Sequence, residues 1–379
     1  MSDIELIATS TFGLEAVVKR EVLSLGYPDL LTEDGKITFS ADLAAIPRAN
    51  LWLRSADRVL LKMGQFKALS FEELFENTNA LPWDEWITED GKFTVTGKSV
   101  KSKLYSVPDC QAIVKKAVVE KMKQRYKKDW FSETGPEYTI QVSLLKDMAT
   151  LTIDTSGVGL HKRGYRHRSV EAPLKETLAA ALVQLSFWNK DRLLVDPFCG
   201  SGTIPIEAAM IARNIAPGLN RGFASEDWPK VGKKLWKQAR IEAFSSIDQE
   251  SRIRIAGSDI DKRAIETARQ NAVNCGVDDC IEYRAMPFSQ LKITEEYGVV
   301  VTNPPYGERM GQSQQARELY SDMGMKFADN HTWSVYVITS DEDFESLFGK
   351  KADRRRKLYN GRIKVDYYQY YGQRPPSKK

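Results

Sequence analysis

RLLVDPFCGSGT, residues 192–203, runs a short apolar stretch into an aspartate, then through a turn with two glycines into the helix-like TIPIEAAMIARNIA (203–216). A strand buried on both faces reads as a continuous apolar run, and a glycine turn lets the chain swing at once into a covering helix. The same beat repeats outward from it. IRIAGSDI (253–260) leads into KRAIETARQNAVNCG (262–276), and CIEYRA (280–285), YGVVVTNPP (297–305) and WSVYVITS (333–340) are three further short apolar runs. Strands alternating with helices predict a Rossmann-like, doubly wound parallel sheet over 172–379, whose ligand sits at the carboxyl ends of the strands.

Upstream the pattern is different. ELIATS (5–10), FGLEAVVKREVLSLG (12–26) and KITFSA (36–41) predict strand, helix and strand, with a helix to follow, over 1–59. FEELFENTNALPW (71–83), KFTVTGKSV (92–100), CQAIVKKAVVEKMKQRY (110–126) and the hairpin-like YTIQVSLLKDMATLTIDT (138–155) predict a second α/β unit over 60–155. SGVGLHKRGYRHRSVEAP (156–173), rich in glycine and cations, reads as a connector, with 156–171 as the linker proper.

At 379 residues, 42% hydrophobic and 28% charged, the chain is expected to fold as two or three α/β domains with a substantial core. No apolar run reaches roughly 18 residues, and MSDIE at the start is not a secretion signal, so a cytoplasmic protein is expected. Cys110, Cys199, Cys275 and Cys280 fit neither paired CxxC ligands nor a cluster motif, so reduced thiols and no metal are expected. The net charge of +4 hides an asymmetry: 97–128 carries about +8 and 350–379 about +9, with a third basic knot at Lys162, Arg163, Arg166 and Arg168. Three basic blocks in an otherwise acidic chain point to a polyanion partner, although each alone could be a solvated face.

Three strand ends carry chemistry. After the first, Asp196, Phe198, Gly200, Gly202 and Thr203 form a turn where missing side chains would let a ligand approach a helix N-terminus. It is neither a P-loop nor GxGxxG, and a plain tight turn would look similar. The second ends GSDID (257–261), where Asp259 is placed to bind ribose hydroxyls and Ile260 to cover an adenine face; Asp259 or Asp261 would also serve as a helix cap. The third ends Asn303, Pro304, Pro305, Tyr306. Two prolines after a buried strand force an extended exit that fixes the direction of the backbone carbonyls. With the Asn303 amide these make a set of acceptors, and Tyr306 offers a flat ring. An amine on an aromatic base becomes nucleophilic when acceptors on its hydrogens pull it toward a tetrahedral shape, and a flipped base stacks on an aromatic ring.

DPFCGSGT, GSDID and NPPY resemble motifs I, II and IV of the class I methyltransferases that modify exocyclic amines. The stretch 159–183, NPPYGERMG (303–311) and RKLYNGRIK (356–364) further resemble bacterial THUMP-containing enzymes, in particular the large-subunit ribosomal RNA guanine-N2 methyltransferase family. That resemblance implies a ferredoxin-like region, a THUMP RNA-binding domain and a methyltransferase domain. It also implies S-adenosyl-L-methionine as cofactor and RNA as partner. Asp196, Gly200 and Gly202 would cradle the methionine side and Asp259 the ribose, while Lys175 and Glu176 fall in the stretch that closes over the cofactor in related enzymes. Where the family's third strand ends in an acid, this chain has Ala285, Met286 and Pro287, so adenine recognition would rest on backbone near Ala285 and Met286. Lys115, Lys116, Lys121, Lys123 and Lys127 on the basic helix, with Arg163, Arg166 and Arg168, are the expected RNA contacts.

A sulfonium is already an activated methyl donor, so positioning the amine supplies most of the catalysis and no side-chain nucleophile is required. Carbon-5 methylation of cytosine would want a cysteine where Tyr306 stands. Transfer to guanine N2 of 23S ribosomal RNA is the preferred expectation. Adenine N6 in RNA or DNA and guanine N2 of tRNA remain alternatives, as does a non-catalytic RNA-binding or assembly factor.

Overall fold

The computed structural model describes residues 3–166, 174–306 and 312–376. It divides into two compact units. The first comprises residues up to Ser10, Val18–Leu160 and Arg221–Glu242; the second comprises Thr11–Val17, His161–Asn220 and the chain from Ala243 on.

In chain order the N-terminal elements are β1 (Ile4–Ser10), α1 (Glu15–Ser24), β2 (Leu30–Glu33), β3 (Lys36–Ala41), α2 (Ala45–Trp52) and β4 (Ala56–Lys67). There follow α3 (Phe71–Asn79), β5 (Lys92–Val100), α4 (Val107–Tyr126), β6 (Glu137–Leu145) and β7 (Met148–Asp154). All seven strands share one sheet, in the order β2-β3-β1-β4-β7-β6-β5. The two α/β units expected over 1–59 and 60–155 are therefore joined by backbone hydrogen bonds. The long β4 pairs antiparallel with β1 along one edge and β7 along the other, and the expected boundary falls inside it. Strand β6 alternates strictly between buried and half-exposed positions, as a strand covered on one face must.

Arg221–Glu242 folds into this first unit, although its position in sequence lies within the stretch expected to form the methyltransferase sheet. Indoles make the attachment. Trp228 stacks on Tyr138 at 4.9 Å and donates to the Glu137 carbonyl at 3.1 Å, while Ser225 bonds the Thr155 carbonyl through both its N–H and its hydroxyl. Such an insertion leaves the strand-helix alternation around it intact, so periodicity carries no sign of it.

The second unit contains α5 (Glu176–Leu185), β8 (Leu194–Asp196) and α6 (Thr203–Ala212). After α7 (Gly232–Ser245), which begins in the inserted segment, come β9 (Ile255–Asp259), α8 (Lys262–Cys275), β10 (Ile281–Ala285) and β11 (Val299–Thr302). The chain ends with α9 (Gln312–Phe327), β12 (Ser334–Thr339), α10 (Phe344–Phe348), β13 (Arg354–Asn360) and β14 (Ile363–Tyr370). The sheet order is β10-β9-β8-β11-β12-β14-β13. Its first five strands are the five read from sequence, and their pairings are parallel. The basic tail adds β13 and β14 as an antiparallel hairpin on β12. Every residue of β8, β11 and β12 is buried, which is why they read as unbroken apolar runs. Strand order reverses at β8, and the crevice of such a sheet opens there.

Candidate active site

Asp196, Asp259 and Thr302 are the last residues of β8, β9 and β11, with β8 in the middle, so the strand ends converge without long loops. A cavity of about 900 Å³ opens above them, lined by Asp196, Phe198, Gly200, Thr203, Asp259, Ile260, Asn303 and Pro305 among the residues expected from sequence.

The glycine turn is shaped by two different demands. Gly200 has φ +52°, and nothing lies within 4 Å of where a Cβ would stand, so that side of the turn is open for a ligand to approach the backbone. Gly202 has φ +83°, and a Cβ there would meet the Tyr283 hydroxyl at 2.4 Å and the Ala268 methyl at 3.0 Å. Its reason for being glycine is packing beneath the turn, not ligand approach, and Gly202 does not line the cavity.

Asp259 accepts the Gly200 N–H at 3.0 Å through one oxygen and the Asp261 N–H at 3.0 Å through the other. Each carboxylate oxygen keeps lone-pair capacity for a hydroxyl donor. The helix cap of α8 is Asp261, which accepts from the Arg263 N–H at 2.8 Å, so the two acids divide the roles that the sequence left open. Ile260 is 76% exposed at the cavity wall, an apolar face that a planar base would cover. Asp196 is only 1% exposed and accepts from the Thr302 hydroxyl at 2.6 Å and the Phe198 N–H at 3.2 Å. Burial pushes its carboxyl up to about 7, with those two donors pulling the other way. An open glycine cradle, a diol acceptor, an exposed apolar wall and a buried carboxylate together fit S-adenosylmethionine, the cofactor that the resemblance implies.

Other expected cofactor contacts lie elsewhere. Lys175 and Glu176 do not line the cavity; Leu174 beside them does. Glu176 is buried and sits 3.3 Å from Arg166, and burial raises its carboxyl. Ala285 and Met286 are also off the cavity wall, although the Met286 N–H holds the Asp259 carbonyl at 2.9 Å. The wall at the end of β10 is instead Pro287, Phe288 and Ser289, with Phe288 against Phe198 at 5.2 Å. Gln315, Ala316, Leu319 and Asp322 of α9 complete it. No motif marks α9 in the sequence; only the return of the chain over β11 brings it here.

At NPPY the structure orders the acceptors. Tyr306 donates its hydroxyl to Asn303 Oδ1 at 2.5 Å, and its ring is half-buried against the sheet's core. The Pro305 carbonyl accepts from Tyr320 at 2.9 Å, a hydroxyl that also meets Thr339 at 3.0 Å, which fixes the direction of this carbonyl at the cavity wall. Pro304 is buried, and among the described residues no donor meets its carbonyl.

Two expected RNA contacts are structural ions. Arg163 is 3% exposed and pairs with the buried Glu207 at 3.3 Å, which also accepts from Tyr165. Arg166 bonds Thr203 at 2.6 Å in addition to Glu176, bracing the start of α6. The buried Arg163 cannot reach a polyanion, because a charge in apolar surroundings must be spent on an internal partner, whereas Arg166 is only half-buried. Arg168 lies outside the described residues. Lys115 and Lys116 on α4 are exposed, as is Lys127 just past its end, with Lys116 over the Phe75 ring at 5.7 Å. Lys121 lies 4.0 Å from Asp84 and Lys123 3.4 Å from Glu120. Among the described residues no group of three His, Cys, Asp or Glu could hold a metal ion, and no helix is long and apolar enough to cross a membrane.

The family model described as UPF0020, "RMKL-like, methyltransferase domain", matches residues 163–369. The chain belongs to this methyltransferase family. Two further models match upstream, the RlmL ferredoxin-like domain over 5–60 and the THUMP domain over 68–154. YpsC of Bacillus subtilis (strain 168), provisionally named an RNA methyltransferase, is 53% identical and is covered over 99% of its length by 100% of this chain. Ribosomal RNA large subunit methyltransferase K/L of Syntrophotalea carbinolica is 34% identical over 95% of this chain and 52% of its own, so the chain spans about half of that relative. Among solved structures, a Listeria monocytogenes str. 4b F2365 protein described provisionally as an N6-adenine-specific DNA methylase superposes with a TM-score of 0.94. It is 54% identical, over 98% of this chain and 97% of that one. SMU.472, described provisionally as a methyltransferase and complexed with SAH, superposes with a TM-score of 0.93 at 46% identity, over 99% of this chain and 100% of that one.

Proposed function

We propose that this chain transfers a methyl group from S-adenosylmethionine to an exocyclic amine of a base in RNA, with guanine N2 of 23S ribosomal RNA as the preferred target. The observation that carries the chemistry is the placement of Asn303 on the wall of the same cavity as Asp259 and Gly200, with Thr302 tied to Asp196 between them. Donor site and amine acceptors thus stand on adjacent strand ends.

When bound, the cofactor supplies an electrophilic methyl on sulfur. Asp259 would hold the ribose diol, and the open turn at Gly200 with Asp196 would hold the methionine side. Asn303 Oδ1, with one lone pair taken by Tyr306, would accept one amine hydrogen through the other, and the backbone of the Pro304–Pro305 segment would supply the second acceptor. The nitrogen lone pair would then form the new N–C bond as the S–C bond breaks and the thioether leaves; the same oxygens would stabilise the positive charge on nitrogen until its extra proton passes to solvent. The THUMP match and the names of YpsC and the K/L relative support RNA as the substrate.

Adenine N6 is the second reading, favoured by the name of the Listeria protein. Guanine N2 and adenine N6 present the same geometry to two acceptors. Labelled methyl transfer to RNA from a strain lacking the protein, followed by digestion to nucleosides, separates them. N2-methylguanosine supports the preferred reading; N6-methyladenosine replaces it.

A further inference from the structure

The end of β10 leaves one demand of the cofactor unmet. An adenine amine taken out of water wants an acceptor, because a polar hydrogen left without a partner costs affinity. The acid expected of this strand end is replaced by Ala285, Met286 and Pro287, and neither Ala285 nor Met286 reaches the cavity wall. Ile260 after β9, with Pro287 and Phe288 after β10, supplies apolar surface for a flat ring but no side-chain acceptor for its amine.

A carboxylate arrives there from another element. Gln315, Leu319 and Asp322 follow one another at helical spacing along α9, and all three line the cavity. One turn beyond Asp322, Lys326 donates to the Ser289 carbonyl at 3.3 Å and the Leu291 carbonyl at 3.0 Å, with its ammonium 5.4 Å from the centre of the Phe288 ring. The second half of α9 is thereby fastened to the loop that leaves β10, and Asp322 shares the cavity wall with Pro287, Phe288 and Ser289.

Two features separate Asp322 from an ordinary solvated acid. A lysine four residues after an aspartate on a helix commonly pairs with it. Here Lys326 is spent on two carbonyls instead, and among the described residues Asp322 makes no hydrogen bond or ion pair. The other acids of the cavity are already engaged: Asp196 by Thr302 and Phe198, Asp259 by the Gly200 and Asp261 N–H groups, and Asp261 by the Arg263 N–H.

We propose that Asp322 accepts the adenine amine of S-adenosylmethionine, standing in from α9 for the acid that the end of β10 lacks. The proposal rests on the cofactor occupying this cavity, and it moves adenine recognition from backbone near Ala285 and Met286 to a side chain on a distant helix. An ionised carboxylate accepts and cannot donate, so it favours a 6-amino purine over one with no amine at that position. Its charge makes that hydrogen bond one of the stronger kind.

Calorimetry on the full chain tests this with two ligands, S-adenosylhomocysteine and its analogue carrying hydrogen in place of the adenine amine. The parent should bind the analogue about 5- to 100-fold more weakly. Asp322→Ala should weaken S-adenosylhomocysteine by a similar factor and leave the analogue within about twofold, so that the preference for the amine disappears. Asp259→Ala, which acts on the ribose, should weaken both ligands equally, and melting temperatures of both variants guard against a folding defect. Equal loss of both ligands from Asp322→Ala, or unchanged affinity for both, overturns the assignment alone; unchanged affinity with a raised KM for RNA gives the acid to the substrate base instead. A parent chain that binds neither ligand overturns it together with the cofactor reading.

Discussion

Asn303 carries two duties that its motif does not separate. Its side-chain oxygen serves the substrate amine and also receives the Tyr306 hydroxyl at 2.5 Å. Asn303→Ala should lower kcat by about 10² or more with little change in cofactor affinity, the cost of losing one preorganised transition-state acceptor. Single-turnover methyl transfer and calorimetry measure the two separately. Sequence alone suggests that Tyr306→Phe is neutral, since the ring is kept. The structure predicts instead a fall in kcat of roughly 5- to 10-fold with unchanged KM, because the amide loses the bond that fixes its orientation. Asp196 makes a prediction in pH. Its carboxyl is raised in the fold to about 7, so the folded state holds that proton more tightly than the unfolded chain does. The contribution to stability is therefore full below about pH 4 and is lost as pH rises through about 7. Asp196→Asn should remove a loss of roughly 2–3 kcal/mol between pH 5 and pH 8, seen as a variant that gains on the parent in melting temperature as pH rises. A constant difference across that range would mean that Asp196 is ionised throughout.

At the scale of elements, the connector and the first helices of the methyltransferase sheet show what a charge run means once folded. HKRGYRHR looks like a nucleic-acid contact in sequence, yet Arg163 and Arg166 turn inward to Glu207 on α6 and Glu176 at the start of α5. The acids that receive them lie 44 and 10 residues away, so no local pattern distinguishes an internal ion pair from a surface patch. Arg163→Ala should destabilise the protein by roughly 3–5 kcal/mol by stranding Glu207, without changing the salt slope of RNA binding. Chemical denaturation and fluorescence anisotropy with labelled RNA across a salt series together check this. A reduced slope in a fully folded variant would return Arg163 to the RNA surface.

For the molecule as a whole, the chain's path matters more than its order of motifs. The segment Arg221–Glu242 leaves the stretch that builds the methyltransferase sheet and folds into the first unit, where the fully buried Trp228 lies on Tyr138. Trp228→Ala should cost roughly 3–5 kcal/mol, the usual penalty for emptying such a site. Hydrogen exchange should then quicken at β6 and β7 amides and stay unchanged at β8, β11 and β12. Equal acceleration in both sheets would deny the two units separate stabilities.

The alternation of buried strands and helices, the two acids at one strand tip, and the double proline after another are all local, and each was legible because a short span of residues dictates it. Periodicity gave the five parallel strands for the same reason. What depended on distant partners was not legible: that β4 joins both N-terminal units in one sheet, that Gly202 is shaped by Tyr283 beneath it, that Tyr320 takes the Pro305 carbonyl, and that α9 closes the cavity. Sequence determined which chemical groups stand at the strand ends. Only the tertiary structure decided which of them face the cavity and which are spent on the protein itself, because burial and pairing are set by residues far apart in the chain.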